Sequence, residues 1–397
     1  MTDLTPIIRE KLEQAVGLLR EHQIDCWLTF VRETSQTYDP ALNLLLGTGL
    51  TWESALVVSR SGRKAALVGR FDADAVRRLE AYDDVIAYDQ SIGDVLRAEL
   101  DRLNPHTIAL NYSLSDPAAD GLTFGMYARL TRLLAGTPYI ARFTSAEHIV
   151  RRLRERKSPE ETSRIRRAID ITQHVYAALL ARPLTGLSER QVHALAGEIA
   201  AHYGGEFAWE RASNPIVNAG PDSPIGHGRP SDLVIQPGML VHVDMGLRWE
   251  GYCADLQRMV YVRRAGEADA PEAVQRAWEA CRAALEAGRA ALKPGALGWQ
   301  VDAAARAELT RHGYAEYMHA FGHHLGQRAH DGGGVLGPQW ERYGTLPDMP
   351  VEPGSVLAIE LGVMVPSYGY IGIEENVLVT DNGAEYLSTP QTELWQQ

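Results

Sequence analysis

Asp244, Asp255, His323, Glu360 and Glu374 are the side chains with which this sequence could hold metal ions. The carboxylates come in two pairs, each on a segment that reads as its own β-hairpin. In LVHVDMGLRWEGYCADLQRMVYV, two apolar-rich strands flank a turn at Trp249–Gly251. A centre between Trp249 and Glu250 sets Asp244 opposite Asp255. In SVLAIELGVMVPSYGYIGIEENVLVT the turn falls at Pro366–Gly369, and Glu360 lies opposite Glu374 about Ser367. Directly opposed residues keep their Cβ atoms about 4.5–5.5 Å apart on one face. Facing acids in apolar strands repel unless something positive lies between them, and a pair of divalent metals is the simplest such object. A lone Asp or Glu in a strand is more often a solvated edge residue than a ligand. Two acid-bearing hairpins with a Gly/His-rich loop between them tip the balance toward a metal site. An oxygen-rich set with a single imidazole suits Mn²⁺, Co²⁺, Fe²⁺ or Zn²⁺ in a bridged two-metal centre better than a closed structural zinc site.

The elements that must position these residues are legible around them. Ser158-Pro159-Glu160-Glu161 reads as a capping box with proline at the first helical position, opening a helix to about Ala181. Ser188 and Gln191 start another in the same way. The stretch from Gly186 to Gly204 then recurs from Gly295 to Gly313 at a constant offset of 109 residues. Each copy precedes one acid-bearing hairpin, so a duplicated helix-plus-hairpin unit closed about a pseudo-twofold axis would bring both hairpins to one centre. Residues 1–150 alternate helix and strand signals. Thr5 and Pro6 read as N-cap and first helical residue, and strand-like runs lie at 26–31, 54–59, 65–69, 85–89 and 107–111. This pattern predicts an α/β domain with a mixed or parallel sheet. Its histidines, His22, His106 and His148, stand isolated and read as surface or core residues.

Size and charge bound the partners. A chain of 397 residues has length for two domains. A net charge of −12, from 39 basic and 51 acidic residues, disfavours nucleic acid. The basic run RRLRERK at 151–157 reads as a solvated linker or helix face. Cys26, Cys253 and Cys281 have no motif spacing, which predicts free thiols in a reducing compartment. The N-terminus has no signal-like apolar stretch and no run reaches membrane-spanning length. The expectation is a cytoplasmic enzyme with neither membrane nor nucleic-acid partners.

The loop MHAFGHHLGQRAHDGGG carries four histidines, and a further one, His227, sits in GPDSPIGHGRPSD before the first hairpin. Together, VDMG followed by YCAD, GHHLGQRAH, IELG and GIEENVLVT resemble the five-ligand signature of the pita-bread metallopeptidases: methionine aminopeptidase, aminopeptidase P, prolidase and the related creatinase. The match runs from about residue 158 to the end. The preceding domain and its KSPEE linker resemble the creatinase-type N-terminal domain, which places aminopeptidase P and prolidase nearer than methionine aminopeptidase. The resemblance implies an α/β domain over 1–157 and an α+β pita-bread (creatinase/aminopeptidase-like) catalytic domain over 158–397.

Carried over residue by residue, it implies two divalent ions, manganese first and cobalt or zinc as alternatives. Asp244 would bind one ion, Asp255 and Glu374 would bridge both, and His323 and Glu360 would complete the other. Glu360 would also shuttle a proton, and His227 and His330 would contact substrate at the scissile bond. Such a pair shares a hydroxide, lowers its pKa and polarises an amide carbonyl, while a neighbouring carboxylate relays the proton. The implied activity is Xaa-Pro dipeptidase (prolidase) on short peptides, in a homodimer. The alternatives are aminopeptidase P on longer peptides and a metal-free creatinase-like amidinohydrolase. Creatinase-type sites lose ligand residues, and none is lost here.

Two departures stand out. Leu361 replaces the proline that usually follows the family's glutamate, and Gly372 replaces an arginine that in many relatives fixes substrate. Arg328 and, second, Arg229 are the available cations for a peptide carboxylate. Of the remaining residues near the motif, His242 reads as core or support, His324 as pointing away from His323, His319 as a supporting donor, and Arg258 as structural.

Overall fold

A computed structural model describes residues 3–226 and 228–397. The chain divides into two compact units, Met1–Glu160 and Glu161–Gln397. The first carries a mixed sheet of β1 (Cys26–Val31), β2 (Ser54–Ser59), β3 (Lys64–Gly69), β4 (Asp84–Tyr88), β5 (Ile108–Leu110) and β6 (Phe143–Ser145), in the order β4-β3-β2-β1-β5-β6. Alternate residues of β1 enter opposite cores. Trp27 and Val31 pack on one face, and Cys26, Leu28 and Phe30 on the other. Burial on both faces is why these strands read as continuous apolar runs. The first helix, Thr5–Glu21, starts one residue before the expected boundary. Its cap acceptor is Asp3 Oδ1, which takes the Thr5 N–H at 2.9 Å, so Thr5 is inside the helix and not its N-cap. No described helix is long and apolar enough to cross a membrane.

The second unit is built on β7 (Glu206–Phe207), β8 (Ile216–Ala219), β9 (Leu240–Met245), β10 (Leu247–Trp249), β11 (Tyr252–Cys253), β12 (Leu256–Tyr261), β13 (Gly322–His324), β14 (Val335–Leu336), β15 (Val356–Val365) and β16 (Gly369–Thr380). The main sheet runs β14-β13-β15-β16-β12-β9-β8, and β11-β10-β7 form a smaller one. Along β15 every second residue, Leu357, Ile359, Leu361, Val363 and Val365, enters a core shared with the helices Glu272–Ala291 and Gly298–Arg311. The intervening positions, Glu360 among them, therefore face the other side.

The two hairpins keep different registers. In the second, Glu360 pairs with Glu374, as a centre at Ser367 requires. In the first, Asp244 pairs with Gln257, and Arg248 with Cys253. The expected opposition of Asp244 and Asp255 is corrected: the turn is Glu250–Gly251, with φ of 46° and 86°. Positive φ at both central residues gives the two-residue turn whose twist matches its strands. Asp255 lies two residues from Gln257, so the aspartates are diagonal neighbours. A slip of two residues preserves the face on which each side chain stands.

Candidate metal centre

One register row crosses four strands. Glu360 on β15 pairs with Glu374 on β16, Glu374 with Gln257 on β12, and Gln257 with Asp244 on β9. Two residues away along the strands stand Asp255 on β12 and His323, whose partner on β15 is Ala358. The sheet thus gathers donors from four separated stretches of sequence. Three donor sets, Asp244/Asp255/Glu374, His323/Glu360/Glu374 and Asp255/His323/His330, each have ligand atoms within 4.8 Å of one another.

Neighbours fix the backbone beneath the acids. Asn376 Nδ2 donates to the Asp255 carbonyl at 2.6 Å, and its Oδ1 accepts the Asp255 N–H at 3.2 Å. This side-chain amide replaces a ladder rung. The Tyr176 hydroxyl, from the helix Pro159–Leu180, lies 3.0 Å from the Val243 carbonyl and 2.6 Å from that of Leu256, tying β9 to β12 beside the aspartates. Arg258 pairs with Glu375 at 3.1 Å and donates to the Glu374 carbonyl at 3.1 Å, both side chains being buried. The arginine after Gln257 therefore braces the strands from outside the donor cluster, a structural role. Its planar guanidinium meets several acceptors at once.

The electrostatics suit a cation. Burial, with Glu360 adding to it, lifts the Asp244 carboxyl well above the usual carboxylate range. Burial, then Asp244 and Glu360, does the same for Asp255. Burial, then Asp255, Glu360 and Asp244, does so for Glu374. Burial and the neighbouring His330 push His323 well below its ordinary value, so the imidazole is held neutral. His323 Nδ1 faces the His324 carbonyl at 3.4 Å, which leaves the Nε2 lone pair for a metal. That nitrogen is 4.0 Å from Asp255 Oδ2 and 3.9 Å from both Glu360 Oε1 and Glu374 Oε1. These separations exceed hydrogen bonds, and they match atoms that each reach a shared ion over roughly 2.0–2.2 Å. Among the described residues, Asp244 Oδ1 is buried with no hydrogen-bond partner. An orphaned carboxylate oxygen, a neutral imidazole and crowded acids together fit a divalent metal.

The other candidates fall at different distances from this cluster. The ring of the exposed His330 lies against that of His323, tilted by 46° with 4.1 Å between centroids. His227 lies outside the described residues. Arg328 and Arg229 are exposed. Among the described residues His319 makes no hydrogen bond to the donors. Its Nδ1 contacts the Ala320 carbonyl at 2.7 Å and its ring packs on Tyr317, so the expectation of a supporting donor is corrected. Gln257, Asn376 and Tyr176 were missed because nothing local in the sequence marks them; only the pairing of β12 with β16 and the helix docking give them their places.

Residues 163–381 match the sequence model of metallopeptidase family M24. The uncharacterized peptidase YqhT of Bacillus subtilis is 27% identical over 388 residues, covering 97% of this chain and 99% of its own. The Xaa-Pro dipeptidase of Pyrococcus furiosus is 30% identical over 262 residues, 64% of this chain and 69% of the relative. Among solved structures, dipeptidase PepE of Mycobacterium ulcerans superposes with a TM-score of 0.75 at 25% identity, over 100% of this chain and 99% of the other. The X-Pro aminopeptidase of Thermotoga maritima does so at 0.72 and 22% identity, over 97% and 99%, a likeness of fold.

Proposed function

This chain belongs to metallopeptidase family M24, with the pita-bread fold in its second unit, and from that premise we propose that it is an Xaa-Pro dipeptidase, a prolidase. The observation that carries the reading is the set of five donor side chains gathered across one sheet. The 30% identity with an archaeal Xaa-Pro dipeptidase supports the substrate class.

Asp244, Asp255, His323, Glu360 and Glu374 would hold two divalent ions, manganese first. Bound there, such ions polarise a scissile carbonyl and lower the pKa of a water. The chain's own groups do the rest. Glu360 is the more open of the two glutamates, its side chain 24% exposed against 2% for Glu374. It can therefore take a proton from the attacking water and return it to the leaving nitrogen. His330 lies beside His323 and is exposed to an arriving peptide, where its N–H can donate to the developing oxyanion. Apolar β-strands behind the acids keep bulk water from screening them. The second reading, aminopeptidase P, draws on Gly372, where the arginine that reads substrate in many relatives has no counterpart.

Metal analysis together with turnover on Ala-Pro, Met-Pro and Xaa-Pro-Xaa peptides, with and without Mn²⁺, tests the proposal. Two equivalents of metal and preference for dipeptides support it. Preference for tripeptides replaces it with aminopeptidase P, and failure to bind metal overturns both.

A further inference from the structure

Gly372 has no room for any side chain. A Cβ built there would lie 2.5 Å from Gln257 Oε1, 2.7 Å from His242 Nε2 and 2.7 Å from Tyr370 Cε1. The space above this glycine is filled by a buried chain of polar groups. Asn218 Nδ2 donates to Ser223 Oγ at 3.1 Å and to the Pro224 carbonyl at 2.8 Å, which sets its Oδ1 toward His242 Nδ1 at 3.2 Å. His242 Nε2 lies 2.8 Å from Gln257 Oε1. Gln257 Nε2 then donates to Glu360 Oε2 at 2.8 Å and to Glu374 Oε2 at 3.0 Å. His242 is further fixed by Tyr370, whose ring meets it edge-on at 5.3 Å.

We propose that Gln257 is a positioning residue that sorts the oxygens of Glu360 and Glu374, and that Gly372 is the vacancy that lets it do so. Each glutamate gives Oε2 to the amide and turns Oε1 toward His323 Nε2, at 3.9 Å in both cases. Both amide hydrogens are used, one per carboxylate, so a single side chain orients two donors at once. The opposite amide orientation would set Oε1 against two carboxylates. The donor is also neutral. A guanidinium in this place would hold the same oxygens as an ion pair and compete with a dication for their charge. The inference rests on the reading of Glu360 and Glu374 as metal ligands. It adds to that reading the group that decides which oxygens the metal meets.

The test is Mn²⁺ titration calorimetry on metal-free Gln257→Leu, Gln257→Ala and Gly372→Ala, beside kinetics with Ala-Pro. Loss of a group that orients metal ligands weakens metal binding or activity by about 10–100-fold. Gln257→Leu should bind Mn²⁺ that much more weakly and lose kcat with KM unchanged. Gly372→Ala should reproduce the loss by driving Gln257 off its carboxylates, and should add little to Gln257→Ala in the double variant. Wild-type Mn²⁺ affinity in folded Gln257→Leu and Gln257→Ala, or a change in KM alone, overturns the proposal. If the wild type binds Mn²⁺ yet cleaves no Xaa-Pro peptide, the dipeptidase reading fails alone, and the Mn²⁺ titrations still decide the role of Gln257.

Discussion

The two halves of the catalytic unit share a scaffold and differ at the donors. The helices Glu189–His202 and Gly298–Arg311 stand at the 109-residue offset and start alike. Gln191 Oε1 accepts the Ser188 N–H at 2.8 Å, and Gln300 Oε1 accepts that of Leu297 at 3.0 Å. The Gly186 N–H reaches the Ile235 carbonyl at 2.9 Å, and Gly295 reaches Val351 at 2.8 Å. Beyond this frame the hairpins diverge. The second is one continuous ladder with directly opposed glutamates. The first is interrupted at Gly246, where a Cβ would sit 2.0 Å from the Ala254 carbonyl oxygen, and its aspartates are diagonal. The two halves thus bring their acids to one face by different pairings, direct in the second and diagonal in the first.

The comparison breaks most sharply if the innermost acids are not equivalent. Asp255→Ala and Glu374→Ala, one from each half, should both abolish metal uptake and turnover. Elemental analysis of either variant showing full metal content would end the assignment of these two as shared ligands. Next in size are the histidines outside the acid set. His330→Ala, and likewise His227→Ala, should keep the metals and lose about 10²–10³ in kcat, the cost of one oxyanion donor. Metal loss in His330→Ala would instead move His330 into the ligand set with Asp255 and His323, whose donor atoms it already adjoins. Arg328→Ala should raise KM for Xaa-Pro about 10–150-fold, a charge-assisted bond of roughly 1.5–3 kcal/mol, and leave the amide Xaa-Pro-NH₂ unaffected. Equal effects on acid and amide would remove Arg328 from carboxylate recognition. Gly246→Ala probes the close approach in the first half alone. Forcing those strands apart should cost about 1–3 kcal/mol, read as a lower Tm, and an unchanged Tm would show that the approach is not required.

The smallest effect is on pH. Asp244, Asp255 and Glu374 have carboxyls raised by burial and by neighbouring carboxylates, Glu360 beside each of them. Stability from a group raised on folding is present below its unfolded pKa, about 4 for a carboxyl, and is lost as pH rises through the folded value. The loss begins above about pH 4 and runs up to the raised folded values, so chelated protein should melt lower as pH rises across that interval. Protein loaded with Mn²⁺ should melt at a steadier temperature. A chelated form whose Tm climbs across that interval would contradict the crowding of acids.

What could be read from the sequence follows the range of the interactions. The Glu360–Glu374 register was legible because the glycine-containing turn at Pro366–Gly369 lies between long apolar runs. The first register was misplaced by two residues because the turn is centred one residue later than expected, between Glu250 and Gly251. The face was still right, since a two-residue slip does not turn a side chain over. The strand Phe143–Ser145 went unread because three half-buried residues make no pattern. Gln257 looked like any strand residue after a motif acid. Its importance comes from a pairing with Glu374 more than a hundred residues away along the chain.

That pairing also bears on how the protein comes together. β12 and β16 are joined by one register pair, Gln257 with Glu374, backed by Asn376 on Asp255. Each hairpin closes on its own short loop, whereas this seam closes a very long one, and long closures come late in folding. Gathering all five donors is then a closing event, since Asp244 and Asp255 come from one half and His323, Glu360 and Glu374 from the other. In pulse-labelled hydrogen exchange, protection within the hairpin β15–β16 should precede protection at Gln257, and added Mn²⁺ should accelerate neither.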